Sequence, residues 1–214
     1  GTTSGTFTSS ITDLTEGTTY HVRAYATNYL GTSYGPNITF TTLTTPTISA
    51  TASATSITSS TATIGGTITA DGGASVTSRG VVYGTSSLSS TFSVTSGTGT
   101  GTYTIGLTGL TPATTYYVRS FATNSVGTVY GTETSFSTIA IAPSLTTTAA
   151  SSITKYAASA GGTITSNGGS VITASGICWS TTATPTISDS KTTDGTTSGT
   201  FTSSLTSLTA GTIY

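Results

Sequence analysis

Charge is the first thing missing. Of 214 residues, 5 are Lys or Arg and 6 are Asp or Glu, a formal net charge of -1, where an ordinary domain is about one quarter charged. Without a basic stripe the chain cannot gather phosphates or hold an anionic bilayer surface, so no nucleic-acid partner is expected. Histidine, cysteine and methionine are nearly gone too, at one, one and none. A lone His21 and a lone Cys178 build neither a His/Cys metal site nor a Cys-His nucleophile, and one cysteine excludes an intramolecular disulfide. The many serines have no base to activate them. Long apolar runs are absent as well: nothing approaches the roughly 18 to 20 residues of a spanning helix, so no membrane insertion is expected. These absences argue against an enzyme and imply no catalytic residue, cofactor or metal. The acids Asp13, Glu16, Asp71, Glu133, Asp189 and Asp194 sit beside Gly, Ser or Thr and read as turn residues. Asp189 and Asp194 share the 181–195 loop, which leaves a weak Ca²⁺ contact as the alternative to solvation.

What is present alternates. The 34% hydrophobic residues fall at every second position, with Ser and Thr between them. Thr is β-branched and suits the half-exposed surface of a strand, so "TATIGGTIT" (61–69) and "GTYTIGLTGL" (101–110) read as strands with one wet face. No segment of ten residues carries a helical apolar period. The fold class is all-β.

The chain also repeats itself. "LTPATTYYVRSFATNSVG" at 110–127 echoes "LTEGTTYHVRAYATNYLG" at 14–31, and its start returns as "LTAGTIY" at 208–214. "GTF" at 5–7 recurs as "GTY" at 101–103 and "GTF" at 199–201, after 96 and then 98 residues. "GGTIT" recurs at 65–69 and 161–165, and "GTTSGTFTSS" at 1–10 is identical to 195–204. The expected organisation is therefore 1–42, the later part of one module; 43–140, a complete module; and 141–214, the earlier part of another. A module of about 96 residues is large enough to hold its own core.

The phrase Leu110, Pro112, Thr114, Tyr116, Val118, Ala122, Asn124, Gly127 resembles the fibronectin type III family between strands E and F, and Leu14, Thr18, Tyr20, Val22, Ala26, Asn28, Gly31 matches it again. The resemblance implies tandem immunoglobulin-like (fibronectin type III-like) sandwiches of seven strands. It also implies a tyrosine corner at Tyr20, Tyr116 and Tyr214, each hydroxyl bonding backbone upstream while the ring enters the core. The sequence departs from the family in strand B, where a Trp is usual and "TATIGGTIT" stands instead; the single Trp, Trp179, follows Cys178 on the expected strand C. "RGVVYGTS" and "SGICWSTT" resemble a Thr-rich branch found in large bacterial secreted and surface proteins.

One surface stands out as a binding candidate. Along strand F the outward residues are His21, Arg23 and Tyr25 in one copy and Tyr117, Arg119 and Phe121 in the next, an aromatic-Arg-aromatic stripe. It reads either as a stacking platform for glycans or as rings and Arg stems covering one another. Thr-x-Thr spacing suggests an ice-binding ladder, but a twisted sandwich offers no flat array for one. With no Met, few tryptic sites and little charge, the composition suits an exported protein at the cell surface. Asn37 to Thr39 forms an N-x-T sequon whose use depends on the host. The expected function is structural: a spacer, stalk or fibre segment of a large extracellular, bacterial surface protein or adhesin, whose partners are neighbouring modules of the same or identical chains. The alternatives are a carbohydrate- or surface-binding module, and a filament subunit joined head to tail by strand complementation.

Overall fold

The structure is a computed structural model that describes residues 4–214; residues 1–3, the start of the 1–42 piece and of the "GTTSGTFTSS" match, lie outside the described residues. Two compact units divide the chain. One takes the described residues through Thr55, with Thr63–Leu107 and Tyr116–Phe136; the other takes Ser56–Ala62, Thr108–Thr115 and Ser137–Tyr214. Every regular element among the described residues is a strand.

In the first unit, two sheets form a sandwich. One sheet orders β5 (Thr47–Thr51), β6 (Ala62–Ala70) and β9 (Gly101–Leu107); the other orders β11 (Thr128–Tyr130), β10 (Thr115–Thr123), β7 (Ser78–Gly84) and β8 (Phe92–Thr95), with β12 (Thr134–Ser137) also on β10. The last strand is thus split in two, giving seven strands in a fibronectin type III-like order. Alternation decides which side chains enter. On β10, Tyr116, Val118, Ser120 and Ala122 are buried while Tyr117, Arg119 and Phe121 are half-exposed. On β9, Tyr103, Ile105 and Leu107 are buried. Together with Ile64, Ile68 and Val81 they form the core, each large side chain contributing about 1.5–3 kcal/mol by leaving water.

The Gly pair in β6 explains the missing tryptophan. A Cβ on Gly65 would lie 1.9 Å from the Tyr103 carbonyl oxygen, and one on Gly66 would lie 2.8 Å from the Ser120 Cβ. The neighbouring backbone and side chains already fill that space. The ring of Tyr103 enters from the adjacent strand, and its hydroxyl donates to the Gly80 carbonyl at 2.6 Å, crossing from one sheet to the other. Burial raises the Tyr103 hydroxyl above its ordinary value of 10.0, against the lowering effect of its hydrogen bonds and Arg79. A second buried polar link joins the sheets: the Ser120 N–H donates to Thr51 Oγ1 at 2.9 Å, and the two hydroxyls lie 3.0 Å apart.

The "GTGTGT" stretch turns where left-handed backbone is needed, at Gly97 (φ 86°), Gly99 (φ 80°) and Gly101 (φ 97°). Arg79 gathers this turn, donating from Nη1 to the carbonyls of Thr100 at 2.7 Å and Gly99 at 3.2 Å. The turn leaving β6 has its own device. Asp71 Oδ1 accepts from the Gly73 N–H at 2.9 Å, and Gly72 and Gly73 both take positive φ.

The earlier piece holds two hairpin-like pairs, β1 (Thr19–Val22) with β4 (Ile38–Thr41) and β2 (Tyr25–Asn28) with β3 (Gly31–Tyr34). Here the strand that is continuous in β10 breaks at Arg23 and Ala24. In the second unit, β13 (Ser144–Ser151), β14 (Ala158–Ser166) and β17 (Gly199–Leu205) make one sheet, and β15 (Cys178–Trp179) pairs β16 (Ser190–Lys191). Asn167, Gly168 and Gly169 repeat the turn after β6: Asn167 Oδ1 accepts from the Gly169 N–H at 3.0 Å.

Candidate functional site

The outward stripe of strand F is built twice, and in each copy the guanidinium finds a ring on the next strand. Strand pairing sets Tyr25 opposite Tyr34 and Phe121 opposite Tyr130. Arg23 then lies over Tyr34 and Arg119 over Tyr130, both with the guanidinium carbon 4.7 Å from the ring centroid. Cross-strand rings complete each cluster, Tyr25 with Tyr34 at 6.3 Å and Phe121 with Tyr130 at 6.4 Å. Tyr34 and Tyr130, the rings that the Arg residues cover, are missing from the stripe read off strand F alone. A recurrence after 96 residues, each followed by Gly, was their available signal.

The Arg residues are held from behind. Arg23 Nε donates to the Gly35 carbonyl at 3.0 Å, and Arg119 Nη2 to the Leu88 carbonyl at 3.3 Å. Buried Arg119 Nε has no hydrogen-bond partner among the described residues. Glu133 fixes the same corner by accepting from the Ser87 hydroxyl at 2.7 Å and from the Leu88 N–H. Those bonds, first Ser87 and then Leu88, with Arg119 adding, hold its carboxyl below its ordinary value. The outer members of the stripe differ. Exposed His21 pairs its Nδ1 with the Asn37 side-chain amide at 3.0 Å, and Tyr117 is half-exposed.

The three corner tyrosines are placed as follows. Tyr20 accepts from the Thr15 N–H at 2.9 Å and Tyr214 from the Thr209 N–H at 2.9 Å, in each case five residues upstream. That bond lowers the Tyr214 hydroxyl from its ordinary value. Tyr116 is buried and its ring stacks on Phe136 at 5.8 Å, as Tyr20 stacks on Phe40 at 5.8 Å.

Elsewhere the polar groups satisfy one another. Asp189 accepts from the N–H and hydroxyl of Thr186, while Asp194 accepts from Thr192 and from buried Ser203. The two carboxylates therefore serve separate turns. Among the described residues no three His, Cys, Asp or Glu side chains come together as a metal set. Cys178 is a free thiol, with its Sγ 3.4 Å from the Pro185 carbonyl. The second unit also carries an apolar groove of about 330 Å³, lined by Leu145, Ile164, Ile172, Ile177, Ile187 and Phe201 among others.

Strand order and alternating burial define the class of protein: an all-β chain of immunoglobulin-like, fibronectin type III-like sandwich architecture. No family model matches the chain, and no curated protein matches it. Among solved structures the chain is similar to the crystal structure of the chicken CNTN1 FN1-FN3 domains, at 16% identity, covering 94% of this chain and 68% of that one with a TM-score of 0.32. A likeness at that score carries no argument, and the fold class rests on the strands themselves.

Proposed function

We infer that the chain is a structural spacer: a stalk or fibre segment of a large extracellular surface protein or adhesin, of the Thr-rich bacterial kind its motifs resemble, in which sandwich modules set a distance. One observation carries this reading. In both copies of the stripe the guanidinium stacks over one ring, so the chain's own Arg already occupies a face that a stacking ligand would need. Its natural partners are further modules of the same kind. Mechanically, the antiparallel ladders and the apolar core of each module resist extension until they break together.

Stretching single molecules between a surface and a cantilever tests this. A spacer gives discrete unfolding events, each releasing about 30 nm for a module of this length, and the protein shows no saturable binding on a glycan array. Saturable binding of one glycan class, lost in Tyr25→Ala and Phe121→Ala, would replace the spacer with the carbohydrate-binding reading. Tyr25 is 66% exposed, the specific observation in favour of that second reading.

A further inference from the structure

Only Leu43 separates two sets of hydrogen bonds. On its earlier side, Thr42 closes the strand pair β1 and β4: its N–H donates to the Thr18 carbonyl at 3.1 Å, its hydroxyl donates to the Thr15 carbonyl at 2.6 Å, and Thr18 N–H donates to that hydroxyl at 2.9 Å. On its later side, Thr44 is held at both ends of its peptide. Its N–H donates to the Gly72 carbonyl at 2.9 Å, and its carbonyl accepts from Asn124 Nδ2 at 2.7 Å.

Asn124 is the centre of that second set. Its Nδ2 also donates to the Asp71 carbonyl at 2.8 Å, and its Oδ1 accepts from Val126 N–H at 2.9 Å and Gly127 N–H at 3.1 Å. Both N–H groups and two acceptor positions of one amide are thus in use, on a residue that is 5% exposed, where an unmade bond is expensive. Small contacts fill the remaining room. Thr44 places its methyl 3.0 Å from where a Gly17 Cβ would stand, Leu43 reaches Gly73, and Pro46 is buried.

The same parts recur one module later. Thr138 donates its N–H to the Thr114 carbonyl at 3.0 Å and its hydroxyl to the Thr111 carbonyl at 2.6 Å, while Thr114 N–H donates to that hydroxyl at 2.9 Å. Ile141 N–H donates to the Gly168 carbonyl at 2.9 Å, as Thr44 does to Gly72. Two residues lie between these points instead of one, and the first of them is tied as well: Ile139 N–H donates to the Thr58 carbonyl at 3.0 Å.

We propose that Thr42 and Asn124 form a two-sided latch that fixes the angle between the β1 and β4 pair and the complete sandwich, so that neighbouring modules turn as one body across residues 42–46. The Pro alone restrains only the residues beside it; the latch restrains both sides of the joint. This deepens the spacer reading, because a spacer with locked joints sets direction as well as length.

Residual dipolar couplings on the full chain test it. In the native protein the amides of residues 19–41 fit one alignment tensor with those of 47–55, 63–107 and 116–136. Thr42→Val and Asn124→Asp, each close in shape but lacking the donor groups, require two tensors, and in Asn124→Asp the Thr44 amide exchanges about tenfold faster. A Gly-Ser-Gly-Ser insertion after Leu43 gives two tensors without touching either latch residue; it and Thr42→Val carry the test if Asn124→Asp fails to fold. Two tensors in the native protein, or one tensor surviving in both substitutions, would overturn the latch. A protein that binds glycans yet fits one tensor keeps the latch and loses the spacer reading.

Discussion

Residues 43–136 and residues 144–205 start from the same materials and finish differently. Both build a three-strand sheet of the same order, β5-β6-β9 and β13-β14-β17, around the same "GGTIT" phrase. In the first, β10 lies beside β7 and carries β11 and β12, and Val81, Val118 and Ala122 are sealed from water. In the second, only the short β15 and β16 pair accompanies the sheet, Leu145 is exposed, Cys178 and Phe201 stay half-exposed along the groove, and Trp179 is half-exposed too. The sheet therefore follows from local pairing of its own strands. The closed core needs the long strand that carries Tyr116, Val118, Ser120 and Ala122.

The strongest way to break the comparison is at the Gly pair. Gly65→Val drives a side chain into the Tyr103 backbone with no open side to yield, and should cost about 3 kcal/mol or more. Gly161→Val meets the Phe201 carbonyl, 2.3 Å from its Cβ, beside the open groove, and should cost less. Urea unfolding separates the two when Trp179, the single Trp, reports the open region and tyrosine signals report the closed one. Equal losses would mean that the groove gives no relief. Next comes Leu107→Ala, expected to destabilise by about 2–5 kcal/mol, with Leu205→Ala nearer the low end, read in the same titrations. Thr51→Val leaves the buried Ser120 N–H without its acceptor and should cost about 1–3 kcal/mol; amide exchange at Ser120 is the sharpest readout. Arg119→Ala removes the stacked guanidinium and should cost about 0.5–1 kcal/mol, with the Tyr130 ring resonances moving most.

The smallest effect is a matter of pH. Glu133 has its folded value lowered by Ser87 and Leu88, so its contribution is complete above the ordinary carboxylate value and fades as pH falls through the lowered one. Carboxyl chemical shifts followed from neutral to acid should show Glu133 protonating below its ordinary value, with the Leu88 amide shifting alongside it. Protonation at the ordinary carboxylate value would mean that the Ser87 and Leu88 bonds do not hold the carboxylate in solution.

Much of this could be read in advance where one rule acts locally. The alternation of Tyr116, Val118, Ser120 and Ala122 announces both strand and inward face, because side chains change sides at every residue. The exposed position of His21 follows from the same count. Tyr34 and Tyr130 were not legible as ring partners, because their place beside Arg23 and Arg119 depends on cross-strand pairing. Thr42 and Thr138 were hidden differently: in a chain where Thr fills most wet positions, the two that hold a joint look like all the others. Asn124 was visible as part of a motif, but two of its four bonds reach Thr44 and Asp71, 80 and 53 residues away.

The turn after the long B strand has a consequence for how the protein ages. Asp71 stands before Gly72 where Asn167 stands before Gly168, and each uses only Oδ1, accepting from the second glycine. An Asn followed by Gly is the pair most prone to lose ammonia, since the next backbone nitrogen can attack the amide carbon. At Asn167 that nitrogen is engaged, donating to Ser166 Oγ at 3.1 Å. If that attack does occur, the cyclic imide opens to isoaspartate or to aspartate, and only the aspartate product restores the residue that the preceding copy carries at this corner, with the Oδ1 acceptor that shapes the turn.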